Sequence, residues 1–336
     1  MLAKWFSRFG GKSATVGIEL QAEGLALAVR NQEDNPESSS SAEGGLAPAP
    51  ACHIAQLSFL SHASNDAKPA LALAQWVDSQ QLKNARCNLV LGQGDYQLLL
   101  VEAPDVDAKE LRHAIRWRIK DLVSIPLEKA VLDVFLLPRD GSRSGKAMAY
   151  VAVADKSRID NAIALVRDAG LQLAAIDVSE LALRNLVCRK ELNVKDSRGV
   201  ALVRLSEGAG VLSLYRDGNL YLTRQFSIRY GAGLLDDIPA ESFLLEVQRS
   251  LDYFERQMGQ VPPASLYVCG DNISADKITV ELQRGLSVPV KYLDLNSLVN
   301  LPQNSEEPLA HLAVAAMGGA LREDTLAAFS VRGAAD

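Results

Sequence analysis

The chain has 336 residues, 48% of them apolar but only 6% aromatic, enough for two lobes with cores of Ala, Leu, Val and Ile, a composition suited to helices packed on sheets. A formal charge of −6 excludes a general nucleic-acid binder, which needs surplus Lys and Arg to displace counterions from phosphates. Cys52, Cys87, Cys188 and Cys269 are scattered without a CxxC pair, which indicates neither a zinc site nor a disulfide framework and fits a reducing compartment.

Residues 1–12 combine Trp5, Phe6 and Phe9 with Lys4, Arg8 and Lys12. They read either as a short amphipathic helix resting on an anionic membrane surface or as a frayed terminus. No signal-peptide pattern and no apolar run of about 20 residues is present, so a cytoplasmic protein is expected. Residues 16–29 alternate as two strands around a turn at Ala22–Gly24, a hairpin. Residues 31–51, rich in Ser, Gly, Pro and acids, predict a disordered insert. A strand near 54–60 and a helix at 68–82 follow, the latter with Leu71, Ala74 and Val77–Asp78 at helical spacing. Strands at 86–92 and 95–103 precede a helix at 107–123. One stripe of that helix is Leu111, Ile115, Ile119 and Leu122, and another face carries Lys109, Arg112, His113, Arg116 and Lys120. Strands at 131–138 and 146–154, a helix at 156–169, a strand at 171–177 and a helix at 180–190 close the first half.

The second half restarts with three strands over 200–228, turning near Ser206–Gly210 and at Asp217–Gly218. A helix at 241–258 carries the stripe Phe243, Leu244, Val247, Leu251, Phe254 and Met258. Strand 265–269, helix 274–284, strand 288–294 and helix 308–322 complete it, and 323–336 reads as a disordered tail. Ile18-Glu19-Leu20-Gln21 and Val203-Arg204-Leu205-Ser206 open the two halves alike, so a duplicated α/β fold with a central cleft is expected. Its first lobe takes 14–30 and 52–195, with an inserted α/β subdomain at about 86–175. Its second lobe takes 196–322.

Two hairpins facing across a cleft resemble the way the actin-like ATPase (RNase H-like) fold grips nucleotide phosphates. His113-Ala114-Ile115-Arg116-Trp117-Arg118, then Ile125-Pro126-Leu127-Glu128 and Val131-Leu132-Asp133, resemble the PilM family of type IV pilus assembly proteins. Gln248-Arg249-Ser250-Leu251-Asp252-Tyr253-Phe254 resembles that family's long second-half helix, and His311–Leu321 its closing helix. The resemblance covers roughly 14–322, and divergence elsewhere points to its MshI branch, which serves the mannose-sensitive haemagglutinin (MSHA) pilus. It implies a cytoplasmic scaffold, peripheral to the inner membrane through a PilN-like or MshJ-like partner whose cytoplasmic tail it binds, with pilus motor ATPases as further partners.

In an actin-like ATPase, Asp-x-Gly turns in both hairpins and a Gly-Gly near the adenosine bring backbone N–H groups to phosphate and carboxylates to magnesium. Here the first turn holds Glu19 and Gln21, the second Arg204 and Ser206, and the third Gly270 and Asp271. Gln21 sets a long side chain where backbone must meet phosphate. Arg204 either neutralises a phosphate or pairs with a local acid, Glu19 or Glu207. The expectation is a pseudo-ATPase with no catalytic residue, no metal and no cofactor. The alternative is an ATP-binding switch in which Glu19 and Gly270 still support nucleotide. Gly92-Gln93-Gly94 reads as a hairpin turn rather than a dinucleotide fingerprint, and His53, His62, His113 and His311 as surface or packing residues. For the partner surface the sequence suggests Arg112, Arg116, Trp117, Lys120, Ile125 and Pro126, because Arg and aromatic residues concentrate in binding hot spots; an ordinary solvated face is the other reading.

Overall fold

The computed structural model describes residues 14–31, 52–62, 69–191, 198–206, 209–227, 240–270, 273, 275–277, 280–303 and 305–322. The expectations for residues 1–13, for 32–51 of the insert, for the tail, and for Glu207 and Asp271 lie outside them. In chain order the first half runs β1 (Ala14–Gln21), β2 (Gly24–Asn31), β3 (Ile54–Ser61), α1 (Pro69–Ser79), β4 (Arg86–Leu91), β5 (Tyr96–Glu102), α2 (Ala108–Arg118), β6 (Ala130–Leu136), β7 (Met148–Asp155), α3 (Lys156–Asp168), β8 (Gln172–Val178) and α4 (Ser179–Glu191). The second runs β9 (Val200–Ser206), β10 (Ala209–Arg216), β11 (Asn219–Ser227), α5 (Ala240–Arg256), β12 (Leu266–Gly270), α6 (Val280–Arg284), β13 (Val290–Tyr292), α7 (Glu307–Leu312) and α8 (Val314–Ala320).

Duplication is visible in the two large sheets. One has the order β3-β2-β1-β4-β8 and the other β11-β10-β9-β12-β13. In each, an antiparallel meander opens the half and its first strand then pairs in parallel with the fourth. The first six residues of β1 and of β2 are all buried, Thr15 and Glu19 included, so both faces of these strands are covered although their sequence alternates like a half-exposed sheet. The β1–β2 hairpin closes with Gln21 paired to Gly24, as the turn residues predict.

The third sheet, β5-β7-β6, is the inserted subdomain. Leu111, Ile115 and Ile119 of α2 and the turn after it pack on one face, against Leu132, Val151 and Val153. From β7, the Tyr150 hydroxyl accepts from Thr223 N at 3.0 Å and donates to Tyr221 O at 3.3 Å on β11, the edge strand of the second sheet. Tyr221 Oη in turn donates to Asp140 Oδ1 at 2.8 Å, so the insert is tied to the second lobe.

Several boundaries differ from expectation. In α1 the buried line is Leu73, Trp76 and Val77, and Leu71 is 53% exposed. Helix α2 stops at Arg118 rather than 123, because Ile119 O accepts from both Leu122 N and Val123 N in a tight turn that leaves Leu122 56% exposed. The expected helix 274–284 contains a 3-10 turn, Ala275–Lys277, and the short α6, and strand 288–294 contracts to the three residues of β13. The closing helix divides at Ala313 into α7 and α8. Helix α8, in sequence the end of the second half, lies on the first sheet: a Cβ on Gly17 would stand 1.9 Å from Ala316 O, so β1 and α8 touch backbone to backbone. Its small residues, Ala315, Ala316, Gly318, Gly319 and Ala320, allow that approach.

Candidate functional site

The opening strands of the two halves, β1 and β9, face each other at the junction of the lobes. Glu19, near the end of β1, is 2% exposed and Arg204 of β9 is 6% exposed. They form a two-pronged ion pair, Nη1 to Oε1 and Nη2 to Oε2, the latter at 3.0 Å. Of the two readings of Arg204, the structure gives the local acid, and it is Glu19. Gln21 Nε2 adds a third donor to the carboxylate, 2.9 Å from Oε2, and also reaches Leu312 O at 2.8 Å. Both Glu19 oxygens therefore already hold protein donors, and the fork geometry of Arg makes the pairing specific. The long side chain of Gln21 serves this pair and the end of α7.

The network continues through residues that sequence reasoning missed. Arg204 Nη1 donates to Ser179 Oγ at 3.1 Å. At the start of α4, Ser179 N donates to Tyr96 Oη at 3.2 Å, and Tyr96 Oη donates to Glu180 Oε2 at 2.5 Å. From the second lobe, Tyr215 Oη donates to Glu180 O at 2.7 Å. One chain of hydrogen bonds thus joins β1, β5, α4, β9, β10 and α7. Burial pushes the Glu180 carboxyl up, opposed first by the Tyr96 hydrogen bond and more weakly by the charge of Arg204. Burial and then the Glu180 charge hold the Tyr96 hydroxyl well above its ordinary range, so it stays a donor. Residues 96, 179–180 and 215 are too far apart in sequence to form a motif. The available signal was Ser179-Glu180 opening an otherwise apolar helix turn, where a buried acid demands partners.

Ser206 is half-buried at the end of β9, opposite Ala209, and has no part in this network. Gly270, at φ +134°, lies so close to β9 that a Cβ would sit 1.9 Å from Leu205 O. Its N–H points at Nδ1 of the buried His311, 3.4 Å away. His311 Nε2 lies 2.5 Å from Tyr292 Oη, which also bonds Glu307, and the Tyr292 and His311 rings stack at 5.0 Å. The chain Gly270 N–H to Nδ1, Nε2–H to Tyr292 and Tyr292 to Glu307 requires a neutral imidazole. Burial also lowers the His311 pKa, against the raising effect of Glu307 and Asp294. With a depressed folded value, the unfolded chain binds the proton more readily, so stability is lost as pH falls below the ordinary value of 6.5. The loss of melting temperature from about pH 7.5 to about pH 5.5 is expected to be smaller in His311→Gln than in wild type. Identical pH profiles in thermal melts would contradict this.

The expected partner residues separate into two sets. Arg112 pairs with Asp133 of β6 at 2.5 Å, and Arg116 donates to Leu127 O, in the segment that carries the half-buried Ile125 and the exposed Pro126. Trp117, two residues on from the buried Ile115, projects from the opposite side of α2 and is 68% exposed, and Lys120 is exposed beyond it. The six residues do not form one groove edge.

No family model and no curated protein matches the sequence. Among solved structures, the chain is similar to one described as the PilM-PilN type IV pilus biogenesis complex, with 18% identity over 92% of this chain and 98% of that one, at a TM-score of 0.68. The fold is the duplicated actin-like ATPase fold. The cytoplasmic domain of EpsL, an inner membrane component of the type II secretion system of Vibrio cholerae, is similar at 9% identity, covering 93% and 96% of the two chains, at a TM-score of 0.52. A Bacteroides thetaiotaomicron protein of actin-like ATPase fold and unknown function shares 12% identity over 86% and 93%, at a TM-score of 0.49. Among the described residues no helix is long and apolar enough to cross a membrane.

Proposed function

We propose that this chain is a non-catalytic cytoplasmic scaffold of a type IV pilus machine of the MSHA type, MshI-like, which docks the cytoplasmic tail of a PilN-like or MshJ-like inner-membrane protein and connects it to the pilus motor ATPases. The observation that carries the reading is the buried Glu19–Arg204 pair. In an active relative of this fold the first two turns hold a carboxylate free for magnesium and a backbone open to phosphate. Here the carboxylate is taken by a guanidinium and a glutamine, and discarding that pairing to admit a polyphosphate would strand buried charge. Peptide docking requires none of this chemistry. The similarity to the structure described as a PilM-PilN complex supports a PilN-like partner, and the seam between α2 and residues 125–127, with Arg112, Arg116, Ile125 and Pro126, is our choice of surface for its tail.

Calorimetric titration of the purified chain tests the reading with two ligands. ATP with magnesium is expected to give no micromolar binding. A synthetic cytoplasmic tail of the neighbouring pilus inner-membrane protein is expected to bind, with affinity reduced about tenfold by Arg116→Glu. Micromolar ATP binding that Glu19→Ala abolishes would establish the ATP-dependent switch instead. Absence of tail binding would remove the docking role, and tail binding untouched by Arg116→Glu would move it to another surface.

A further inference from the structure

The outer face of α2 is the most conspicuous surface that the docking role leaves unused. Lys109, His113 and Trp117 follow one another at intervals of four residues and Lys120 comes one turn later, so all four lie on the side opposite the buried Leu111, Ile115 and Ile119. Trp117 is the most exposed large apolar residue among those described, and Leu122 stands exposed in the turn that ends the helix. Residues 108–129 carry six Lys or Arg against three Asp or Glu, in a chain whose formal charge is −6. Glu110 and Asp121 flank the stripe, while Arg118 stands close enough to Glu102 to help lower its carboxyl. Among the described residues no element packs over this face, and a large indole stands exposed there among cations.

We propose that this face, with Trp117 as the apolar wedge and Lys109 and Lys120 as the charged shoulders, rests on an anionic lipid surface. An indole is suited to the boundary between headgroups and acyl chains, where its ring is apolar and its N–H stays wet. Lys side chains lay their methylenes along the same boundary and present the ammonium groups to phosphate. The attraction is modest, because one indole and a few cations bury little area, so the contact is reversible and salt-sensitive. A weak contact is sufficient for a scaffold already tied to a membrane protein by a tail; that step alone rests on the function proposed above. The lipid contact itself is a property of the isolated chain.

The test is co-sedimentation of the full chain, without any partner peptide, with phosphatidylcholine vesicles that contain or lack phosphatidylglycerol. Binding is expected only to the anionic vesicles, and to weaken as salt rises. Trp117→Ala and the double variant Lys109→Glu/Lys120→Glu are each expected to reduce partitioning about tenfold. Both change exposed side chains, and unchanged thermal melts would confirm that folding is not the cause. A chain lacking residues 1–13, which carry their own Trp and Lys, should still bind. The proposal is overturned if anionic vesicles do not capture the chain, if Trp117→Ala binds as wild type does, or if removing residues 1–13 abolishes binding while Trp117 is intact. Vesicle binding that appears only with a protein partner present would likewise assign the face to that protein. Because no tail peptide is used, failure here leaves the docking titration unaffected.

Discussion

Arg204→Ala is expected to lower the free energy of unfolding by about 3–5 kcal/mol, measured by urea denaturation, because it leaves the Glu19 carboxylate buried without its main partner. Gln21 remains as a donor to one oxygen but cannot neutralise the charge. The damage extends along the network, since Ser179 Oγ loses its donor and Glu180 loses a favourable charge nearby. Removing both charges is a different perturbation. Glu19→Leu with Arg204→Met replaces a desolvated ion pair by apolar groups of similar length, a change that is often neutral or stabilising. The double variant is therefore expected to recover most of what the single one loses, and the cycle closed with the single variants Glu19→Leu and Arg204→Met should return a coupling of at least about 2 kcal/mol. An Arg204→Ala chain within about 0.5 kcal/mol of wild type would mean that the pair is solvated and the junction open, which would also remove the main support for a non-catalytic site.

The same pair marks how far the sequence reaches. The halves were legible because each opens with an antiparallel meander, whose period-two alternation and Gly-containing turns are local properties. Glu19 and Arg204 stood out because a fold with two facing hairpins brings them together across 185 residues of sequence. Tyr96, Ser179, Glu180 and Tyr215 were not legible: each belongs to a different element, and their shared purpose exists only once α4 sits between the two sheets. In α1, apolar spacing alone chose Leu71 where packing selected Trp76, whose Nε1 reaches Ser58 Oγ at 3.2 Å. The α2 cations read as one face in sequence, yet Arg112 and Arg116 are drawn aside by Asp133 and Leu127 O. Side-chain reach, not helical angle, decides which part of an amphipathic helix remains available.

Gly17→Ala is the second large effect, and it concerns a contact that no periodicity announces. The added Cβ would stand 1.9 Å from Ala316 O and 2.5 Å from Ala320 N, both backbone atoms of a helix, so neither can swing aside as a side chain would. Either β1 or α8 must move bodily. Overpacking a tight core costs about 1–3 kcal/mol when side chains can adjust. Here the strain falls on backbone, and α8 is buried along its whole length, so a loss of about 3 kcal/mol or more is expected in denaturant melts. Gly94→Ala provides the contrast. That glycine has φ +95° and nothing within 4 Å of its would-be Cβ, so it suffers conformational strain without a clash, worth about 1 kcal/mol. Equal effects at the two sites would show that α8 does not seat against β1. The consequence also reaches the lobe junction. Leu312, whose carbonyl receives Gln21, lies two residues before α8, so displacing the helix should pull that acceptor away. Hydrogen exchange in Gly17→Ala should then rise at the end of β1 as well as in α8. A C-terminal helix that covers the first sheet, joined through α7 to the second, fastens the lobes by main chain, just as Glu19 and Arg204 fasten them by charge.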